Sequence, residues 1–174
     1  LSENLVNYYN NTSDTWCVNL RLSNSYGSPV FADNNCWWLV VNDLCKSAFY
    51  NQQIKLLSDG SPQRDFIHSS DVCRAVELLI NHEQINKNIF HLSSGKTYSV
   101  YELATIVRSV YHKKYGLNIP VIMPDNCEPY RNTKVRYKID NEQIRELGLT
   151  EFKTQEEGII ELFNYFEINE QTRS

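Results

Sequence analysis

The chain has 174 residues, of which 41% are hydrophobic and 22% are charged, which is typical of a globular protein with a single core. Its formal net charge is -4, and its longest basic run is Lys113-Lys114. That balance argues against nucleic acid or an anionic membrane surface as the main partner. No apolar stretch approaches the roughly 20 residues of a membrane span and no secretory signal is visible, so we expect a cytosolic chain.

Cysteine usage excludes two further classes of protein. The five cysteines are odd in number and include no Cys-x-x-Cys pair, so the sequence predicts neither a disulfide framework nor a zinc site. We expect reduced thiols and no bound metal.

The first third of the chain alternates between helical and extended patterns. Apolar residues on one face predict a helix over 1–11, and alternating apolar and polar residues predict a strand over 16–22. After a turn-rich loop, Asp33-Asn34-Asn35 is placed to cap a helix that runs to about residue 50. Residues 54–57 predict a further strand. The buried stripe of the second helix is predicted to be Val41, Leu44, Cys45, Ala48 and Phe49.

The second half continues this alternation. Residues 88–93 predict a buried strand, and a capping box at Ser99 predicts a helix that ends at Gly116. A short strand follows at 119–123, and after a polar loop a short helix is expected to end near Gly148. A second capping box, at 154–157, opens the last helix. Its inward residues are predicted to be Ile159, Leu162, Phe163 and Phe166.

Residues 58–71 combine a turn, an isolated arginine, a short strand and a helix start. Arg64 stands before the β-forming Phe66 and Ile67, at the entrance to a strand-to-helix unit where an anion would be stabilised. The alternative is that Arg64 pairs with Asp65 or Asp71, and spacing alone favours that ion pair. The helix is marked by Val72, Ala75, Val76, Leu79 and Ile80 at helical spacing, with Ser69 or Ser70 as its cap.

The same segment carries a family resemblance. Arg64-Asp-Phe-Ile-His-x-x-Asp71-Val, preceded by Asp59-Gly60, resembles the signature of extended short-chain dehydrogenase/reductases, the NAD-dependent nucleotide-sugar epimerases and dehydratases. The resemblance implies that Arg64 holds the diphosphate of a sugar nucleotide. This interpretation reverses the preference for an ion pair.

A second segment of the chain resembles the same family. Residues 21–27 are similar to its Arg-x-x-Asn-x-Tyr-Gly motif, although Ser28 stands where many members have proline. The motif implies that Asn24 touches the nucleotide sugar. It also implies that the loop containing Ser23 and Tyr26 lines the nicotinamide pocket.

Two further substrate contacts are implied less directly. Asn42 matches a position from which members direct a side chain at the nucleotide, while the alternative is a solvated helix face. Arg131 is nearest to the second diphosphate-binding arginine of the family, with Arg136 as a rival because the register is uncertain. The segment at 90–100 also resembles a strand and helix that are structural in the family, and residues 140–158 resemble its C-terminal tail.

The resemblance covers nearly the whole chain and implies an α/β fold. Residues 1–174 would form the C-terminal part of a Rossmann-like sheet plus a small α/β substrate-binding domain. The six glycines are too dispersed for the family's Gly-rich cofactor turn, and Tyr130-x-x-x-Lys134 lies in a predicted loop rather than on a helix. We therefore expect both catalytic motifs, the Gly-rich turn and the Tyr-x-x-x-Lys, upstream of Leu1.

The function implied is that of half an enzyme. The complete protein would bind NAD and a nucleotide-diphosphate sugar and pass hydride from the sugar to NAD, with a 4-epimerase type favoured. Its partner would be the N-terminal half of the same enzyme, and the whole enzyme would be a possible homodimer. The alternative is a non-catalytic binding or regulatory module, or a fragment that keeps the fold without the chemistry.

Overall fold

The computed structural model describes residues 2–31, 34–82, 85, 87–125, 127 and 137–171. The helices are α1 Ser2–Thr12, α2 Val40–Asn51, α3 Ser69–Asn81, α4 Val100–Tyr115, α5 Glu142–Glu146 and α6 Gln155–Gln171. The strands are β1 Asn19–Leu22, β2 Asn24–Tyr26, β3 Ile54–Lys55, β4 Gln63–His68, β5 Ile89–Leu92, β6 Thr97–Ser99 and β7 Val121–Ile122. Among the described helices, none has the length and apolar character needed to cross a bilayer.

The described strands form three small sheets. β1 pairs with β5 and β3 pairs with β7, in both cases in parallel. In the third sheet β4 lies between β2, to which it is parallel, and β6, to which it is antiparallel. Parallel strands connected through helices confirm the predicted α/β class.

Two hydrophobic clusters flank these sheets. The larger lies under α2, α4 and α6, and the smaller lies between α3, α5 and the β1–β5 sheet. β4 serves both clusters, because successive strand residues point to opposite faces. Phe66 belongs to the larger cluster and Ile67 to the smaller, which places β4 at the junction of the two halves of the fold.

Several element boundaries match their sequence signals. Ser99 caps α4 in a capping box with Glu102, and Gly116 ends the helix in the left-handed region at φ +73°. The predicted stripe on α6 is buried as expected: Ile159, Leu162, Phe163 and Phe166.

Three elements differ from expectation. The predicted strand over 16–22 is shortened to β1, and the loop predicted after it contains β2, which joins a different sheet. α2 begins at Val40 rather than near 33–35, and Leu39 precedes it without a side-chain cap. α3 is capped by the imidazole of His68, whose Nδ1 accepts from the Ser70 backbone N–H at 3.2 Å, rather than by a serine.

Candidate functional site

The pairing of β2 with β4 brings two of the predicted site residues together. Asn24 lies opposite Phe66, and Arg64 precedes Phe66 by two residues on the same face of β4. Standard strand spacings put the Cα atoms of Asn24 and Arg64 about 8 Å apart. Both residues are exposed although Phe66 on the same face is buried, so the structure presents an amide and a guanidinium to solvent near the start of β2 and β4.

The guanidinium of Arg64 is not paired with the carboxylates that spacing favoured. Its Nη1 donates to the Gln63 carbonyl at 2.7 Å. Asp71 accepts instead from Arg74 Nη2 at 2.6 Å and from the Lys153 backbone N–H at 2.9 Å. Asp65 is fully buried and bonded elsewhere. Within the described residues, Arg64 pairs with neither Asp65 nor Asp71, so the ion-pair interpretation is wrong.

Asp65 is the polar centre beneath this face, and sequence reasoning missed that role. Its carboxylate accepts from Ser23 Oγ at 2.7 Å, from Ser94 N at 2.9 Å, from Ser94 Oγ at 3.0 Å and from Lys96 N at 3.0 Å. Its carbonyl accepts from Asn24 Nδ2 at 3.0 Å. These bonds tie the end of β1 and the β5–β6 turn to β4, so Asp65 holds Asn24 in place.

The two predicted cofactor-lining side chains have structural roles here. The Ser23 hydroxyl donates a hydrogen bond to the Asp65 carboxylate. Tyr26 is 1% exposed, with its ring edge-on to His68 at 5.2 Å between centroids. Burial, and then the nearby Cys45 and carboxylates, raise the pKa of the Tyr26 phenol. A buried neutral phenol does not line an open pocket. The prediction that Ser23 and Tyr26 line the nicotinamide pocket therefore applies to their backbone atoms only, and it stays a prediction.

His68 connects the strand face to the first turn of α3 and the second turn of α6. Its Nδ1 lies 2.8 Å from Ser70 Oγ, and its Nε2 lies 3.3 Å from Glu161 Oε2 without hydrogen-bond geometry. Burial, and then the charge of Lys153, lower the pKa of the imidazole, although Glu161 and Asp71 act in the opposite direction. The net effect is that folding disfavours the protonated form of His68.

This lowered pKa predicts a pH dependence of stability. The unfolded chain takes up a proton near the ordinary histidine pKa of 6.5, whereas the folded chain does so only at lower pH, so acidification favours unfolding. The free energy of unfolding should fall as pH drops from about 6.5 towards the lower folded pKa. Urea titrations across this range should show a weaker pH dependence for His68→Gln. Identical slopes for the variant and the parent chain would contradict the assignment.

Asn42 is fully buried rather than on a solvated helix face. Its Oδ1 accepts from the Gly27 N–H at 3.2 Å, and its Nδ2 donates to the Gly27 carbonyl at 2.9 Å and to the Cys36 carbonyl at 3.3 Å. The amide thus fixes both ends of the loop between β2 and α2. The predicted contact of Asn42 with a nucleotide stays a prediction.

The second arginine of the site cannot be placed. Arg131 lies outside the described residues, as do its rival Arg136 and the Tyr130-x-x-x-Lys134 pattern. Arg131 therefore stays a sequence prediction.

Comparison with known proteins identifies the family. The model of the NAD dependent epimerase/dehydratase family matches residues 1–100 of the chain, which include α1 to α3 and both Asn24 and Arg64. The chain belongs to that family. The extended short-chain dehydrogenase/reductase resemblance is thereby confirmed.

Individual relatives show how much of a family member this chain represents. It is 23% identical over 168 residues to the trifunctional UDP-glucose 4,6-dehydratase/UDP-4-keto-6-deoxy-D-glucose 3,5-epimerase/UDP-4-keto-L-rhamnose-reductase RHM1 of Arabidopsis thaliana, covering 97% of this chain and 24% of that protein. It is 30% identical over 92 residues to the dTDP-L-rhamnose 4-epimerase of Burkholderia thailandensis, covering 53% of this chain and 25% of that protein.

A solved structure shows the same fold. The UDP-glucose 4-epimerase of Thermotoga maritima with UDP-glucose superposes with a TM-score of 0.70 at 23% identity, over 97% of this chain and 51% of that enzyme. The chain therefore has the Rossmann-like fold of the family and spans about half the length of that enzyme and about a quarter of the two curated relatives.

Proposed function

We propose that this chain is the nucleotide-sugar-binding half of an NAD-dependent sugar epimerase or dehydratase, and that Arg64 and Asn24 contact the diphosphate sugar. The observation that carries the proposal is the exposed Arg64 guanidinium, which shares a strand face with Asn24 while Asp65 and Asp71 are bonded to other groups. A planar guanidinium suits the oxygens of a diphosphate. The names of the relatives, which refer to UDP- and dTDP-linked sugars, support the same ligand class.

The described residues fit the sugar-nucleotide end of such a site better than the NAD end. Tyr26 is buried and the Ser23 hydroxyl is bonded to Asp65, so backbone atoms of residues 23–27 are left to approach a nicotinamide. In the complete enzyme NAD would accept hydride from the sugar. The residues of this half would bind and orient that sugar, and an upstream half would supply the Gly-rich turn and the Tyr-x-x-x-Lys pair.

Within this class we favour a 4-epimerase. The Burkholderia relative and the Thermotoga structure both carry that activity in their names. A 4-epimerase returns hydride to the opposite face of the keto-sugar, so its sugar must turn over while the diphosphate stays bound. An arginine that holds the diphosphate from outside the sugar pocket, as we propose for Arg64, suits that requirement.

The test is the affinity of the full-length protein for UDP-, dTDP- and GDP-glucose, measured by calorimetry. Arg64→Ala should weaken binding of the preferred nucleotide sugar by roughly 10- to 100-fold, the loss expected for one charge-assisted phosphate contact. NAD content should not change. Arg64→Lys should recover part of the affinity, because it keeps the charge but not the bidentate geometry.

A matched control is Arg108→Ala, which removes an exposed arginine from α4 rather than from the strand face. It should leave nucleotide-sugar affinity unchanged. Wild-type affinity in Arg64→Ala would overturn the assignment. Binding of nucleotide sugar without any turnover would favour the alternative of a non-catalytic binding module.

A further inference from the structure

His68 ends β4 and caps α3 through a contact that fixes the position of its proton. The Ser70 backbone N–H lies 3.2 Å from His68 Nδ1 and can only donate, so Nδ1 must be an unprotonated acceptor. The neutral imidazole therefore carries its proton on Nε2, because the bond made by one ring nitrogen sets the tautomer. Ser70 Oγ lies 2.8 Å from the same Nδ1 and completes the cap.

The other ring nitrogen faces a charged pair. His68 is 4% exposed, and its Nε2 has no hydrogen-bond partner among the described residues. Glu161 Oε2 of α6 lies 3.3 Å from Nε2 without hydrogen-bond geometry, and the other oxygen of that carboxylate is paired with Lys153 Nζ. The ring thus lies between the start of α3 and the second turn of α6.

A second proton on this imidazole would remove the cap of α3. The proton would occupy Nδ1, so the Ser70 N–H would lose its acceptor and Ser70 Oγ would have to accept instead of donate. The ring would also carry a positive charge at the N-terminus of α3, where the helix dipole disfavours a cation. Acid therefore converts a favourable helix cap into an unfavourable charge.

The groups packed around the ring decide how readily it takes up that proton. They are the Tyr26 phenol of β2, the Asp71 carboxylate of α3, Glu161 of α6 and Lys153 just before α6. Burial, and then the charge of Lys153, disfavour the protonated ring, whereas the two carboxylates favour it. Burial and Lys153 prevail, so the imidazole pKa lies below its ordinary value and the cap is complete near neutral pH.

The start of α3 lies directly against the loop that we expect to approach the cofactor. A Cβ atom on Gly27 would be 2.3 Å from Ser69 Oγ and 3.3 Å from His68 Nε2, so no side chain fits between this glycine and the start of α3. The Asn42 amide also holds the Gly27 N–H and carbonyl. Tyr26 lies opposite His68 in the β2–β4 register. A movement of the first turn of α3 is therefore felt at residues 26–27.

We propose that His68 is a positioning residue for the loop at residues 23–27 and that pH switches this role. The neutral ring caps α3 and holds its first turn against Gly27, and the protonated ring releases the cap and loosens the loop. The inference rests on the proposed function, because this loop is the part of the chain expected to approach a nicotinamide. The complete enzyme would then have a cofactor loop that is ordered near neutral pH and loosened in mild acid.

The tautomer and the cap can be tested in the full-length protein without any substitution. Nitrogen-15 NMR of the His68 ring at pH 7.5 should show the proton on Nε2 and an unprotonated Nδ1. In hydrogen exchange followed by mass spectrometry, the protection of residues 69–74 relative to α4 should fall by about fivefold between pH 7.5 and pH 5. A proton on Nδ1 at pH 7.5, or a constant protection ratio, would overturn the proposal.

Two substitutions of His68 separate capping from titration. His68→Asn keeps an oxygen that can accept the Ser70 N–H but does not titrate, so the protection ratio of residues 69–74 should stay constant over this pH range. His68→Ala has no acceptor and should give low protection at both pH values. A pH dependence in His68→Asn as large as that of the parent protein would contradict the role of the imidazole.

Glu161→Gln tests the charges around the ring. It removes a carboxylate that favours the protonated ring, so the loss of protection should move to lower pH. The matched control is Glu156→Gln, which removes an exposed carboxylate from the first turn of the same helix and should leave the transition in place. Equal shifts in the two variants would count against the proposal, because they would show that the transition does not follow the group that faces His68.

The positioning role is measured through NAD affinity. Binding of NAD to the full-length protein should weaken by roughly fivefold between pH 7.5 and pH 5, and by less than about twofold in His68→Asn. Identical pH profiles in the two proteins would overturn the positioning role.

The nucleotide-sugar site fails or stands separately. Arg64→Ala should lower nucleotide-sugar affinity and leave the exchange of residues 69–74 unchanged. Lost sugar affinity in Arg64→Ala together with identical NAD profiles would keep the proposed function and reject the switch. Parental sugar affinity in Arg64→Ala together with a pH-dependent cap would reject the sugar site and keep the switch.

Discussion

Replacing Asp65 with alanine should destabilise the fold by about 3–5 kcal/mol, the range expected when one partner of a buried, charged hydrogen-bond network is removed. The carboxylate is fully buried, and its loss removes the acceptor of Ser23 Oγ and of the Ser94 N–H and one of the two acceptors of Ser94 Oγ and of the Lys96 N–H. Because these donors belong to segments on either side of β4, we expect the unfolding midpoint in urea to fall sharply. Circular dichroism over a urea titration measures this change.

Two comparisons isolate the cause. Asp65→Asn keeps the shape but turns one acceptor into a donor that faces other donors, so its loss should be intermediate. Asp140→Ala removes an exposed carboxylate that accepts the Glu142 N–H and should cost about 1 kcal/mol, as other helix-start acceptors do. A loss in Asp65→Ala no larger than in Asp140→Ala would contradict the role given to Asp65.

Replacing Gly158 with alanine should be the next most damaging change, although alanine usually stabilises a helix. A methyl group there would lie 2.3 Å from the Tyr26 hydroxyl oxygen, 2.8 Å from its Cε2 and 2.9 Å from His68 Cδ2. Both rings are buried and have little room to shift. We expect a net loss of about 2–3 kcal/mol in the free energy of unfolding after the helix gain of about 1 kcal/mol.

A double substitution tests this steric explanation. Tyr26→Phe removes the nearest atom, which is a buried hydroxyl without a hydrogen-bond partner among the described residues, so alone it should be neutral or stabilising. In combination it should recover part of the loss from Gly158→Ala. Gly116→Ala is the control, because a methyl group there meets open space and costs only about 1 kcal/mol for its left-handed φ. Additive losses in the double variant would exclude the clash.

Local signals predicted much of this fold. The capping box at Ser99 and the glycine at position 116 gave both ends of α4, because the interactions that end a helix lie within a few residues of the end. The periodic apolar residues likewise gave the buried stripe of α6. Arg64 was singled out by its position before a strand, and the structure leaves it exposed beside Asn24.

The parts that were not predicted depend on contacts distant in sequence. The donors to Asp65 come from positions 23, 94 and 96, and no local sequence pattern predicts that these residues contact the same carboxylate. Asn42 was expected to contact a nucleotide or, alternatively, solvent, and its burial was not predicted because its partners, Gly27 and Cys36, lie in an irregular loop. Helical spacing also predicted that Ile80 lies with Leu79 on the apolar stripe of α3. Spacing does not show how much of that stripe the rest of the protein covers, and Ile80 is exposed.

The aromatic packing of Trp37 gives this protein a built-in optical reporter. Trp37 is partly buried against Tyr165 and Phe166 of α6, with centroids 5.7 Å and 5.2 Å away, whereas Trp16 and Trp38 are more than half exposed. Its indole emission should shift to longer wavelength when α6 separates from the core, while Trp16 next to β1 already emits as a solvated ring. Fluorescence therefore distinguishes melting of the α2–α4–α6 layer from opening at the β1 edge.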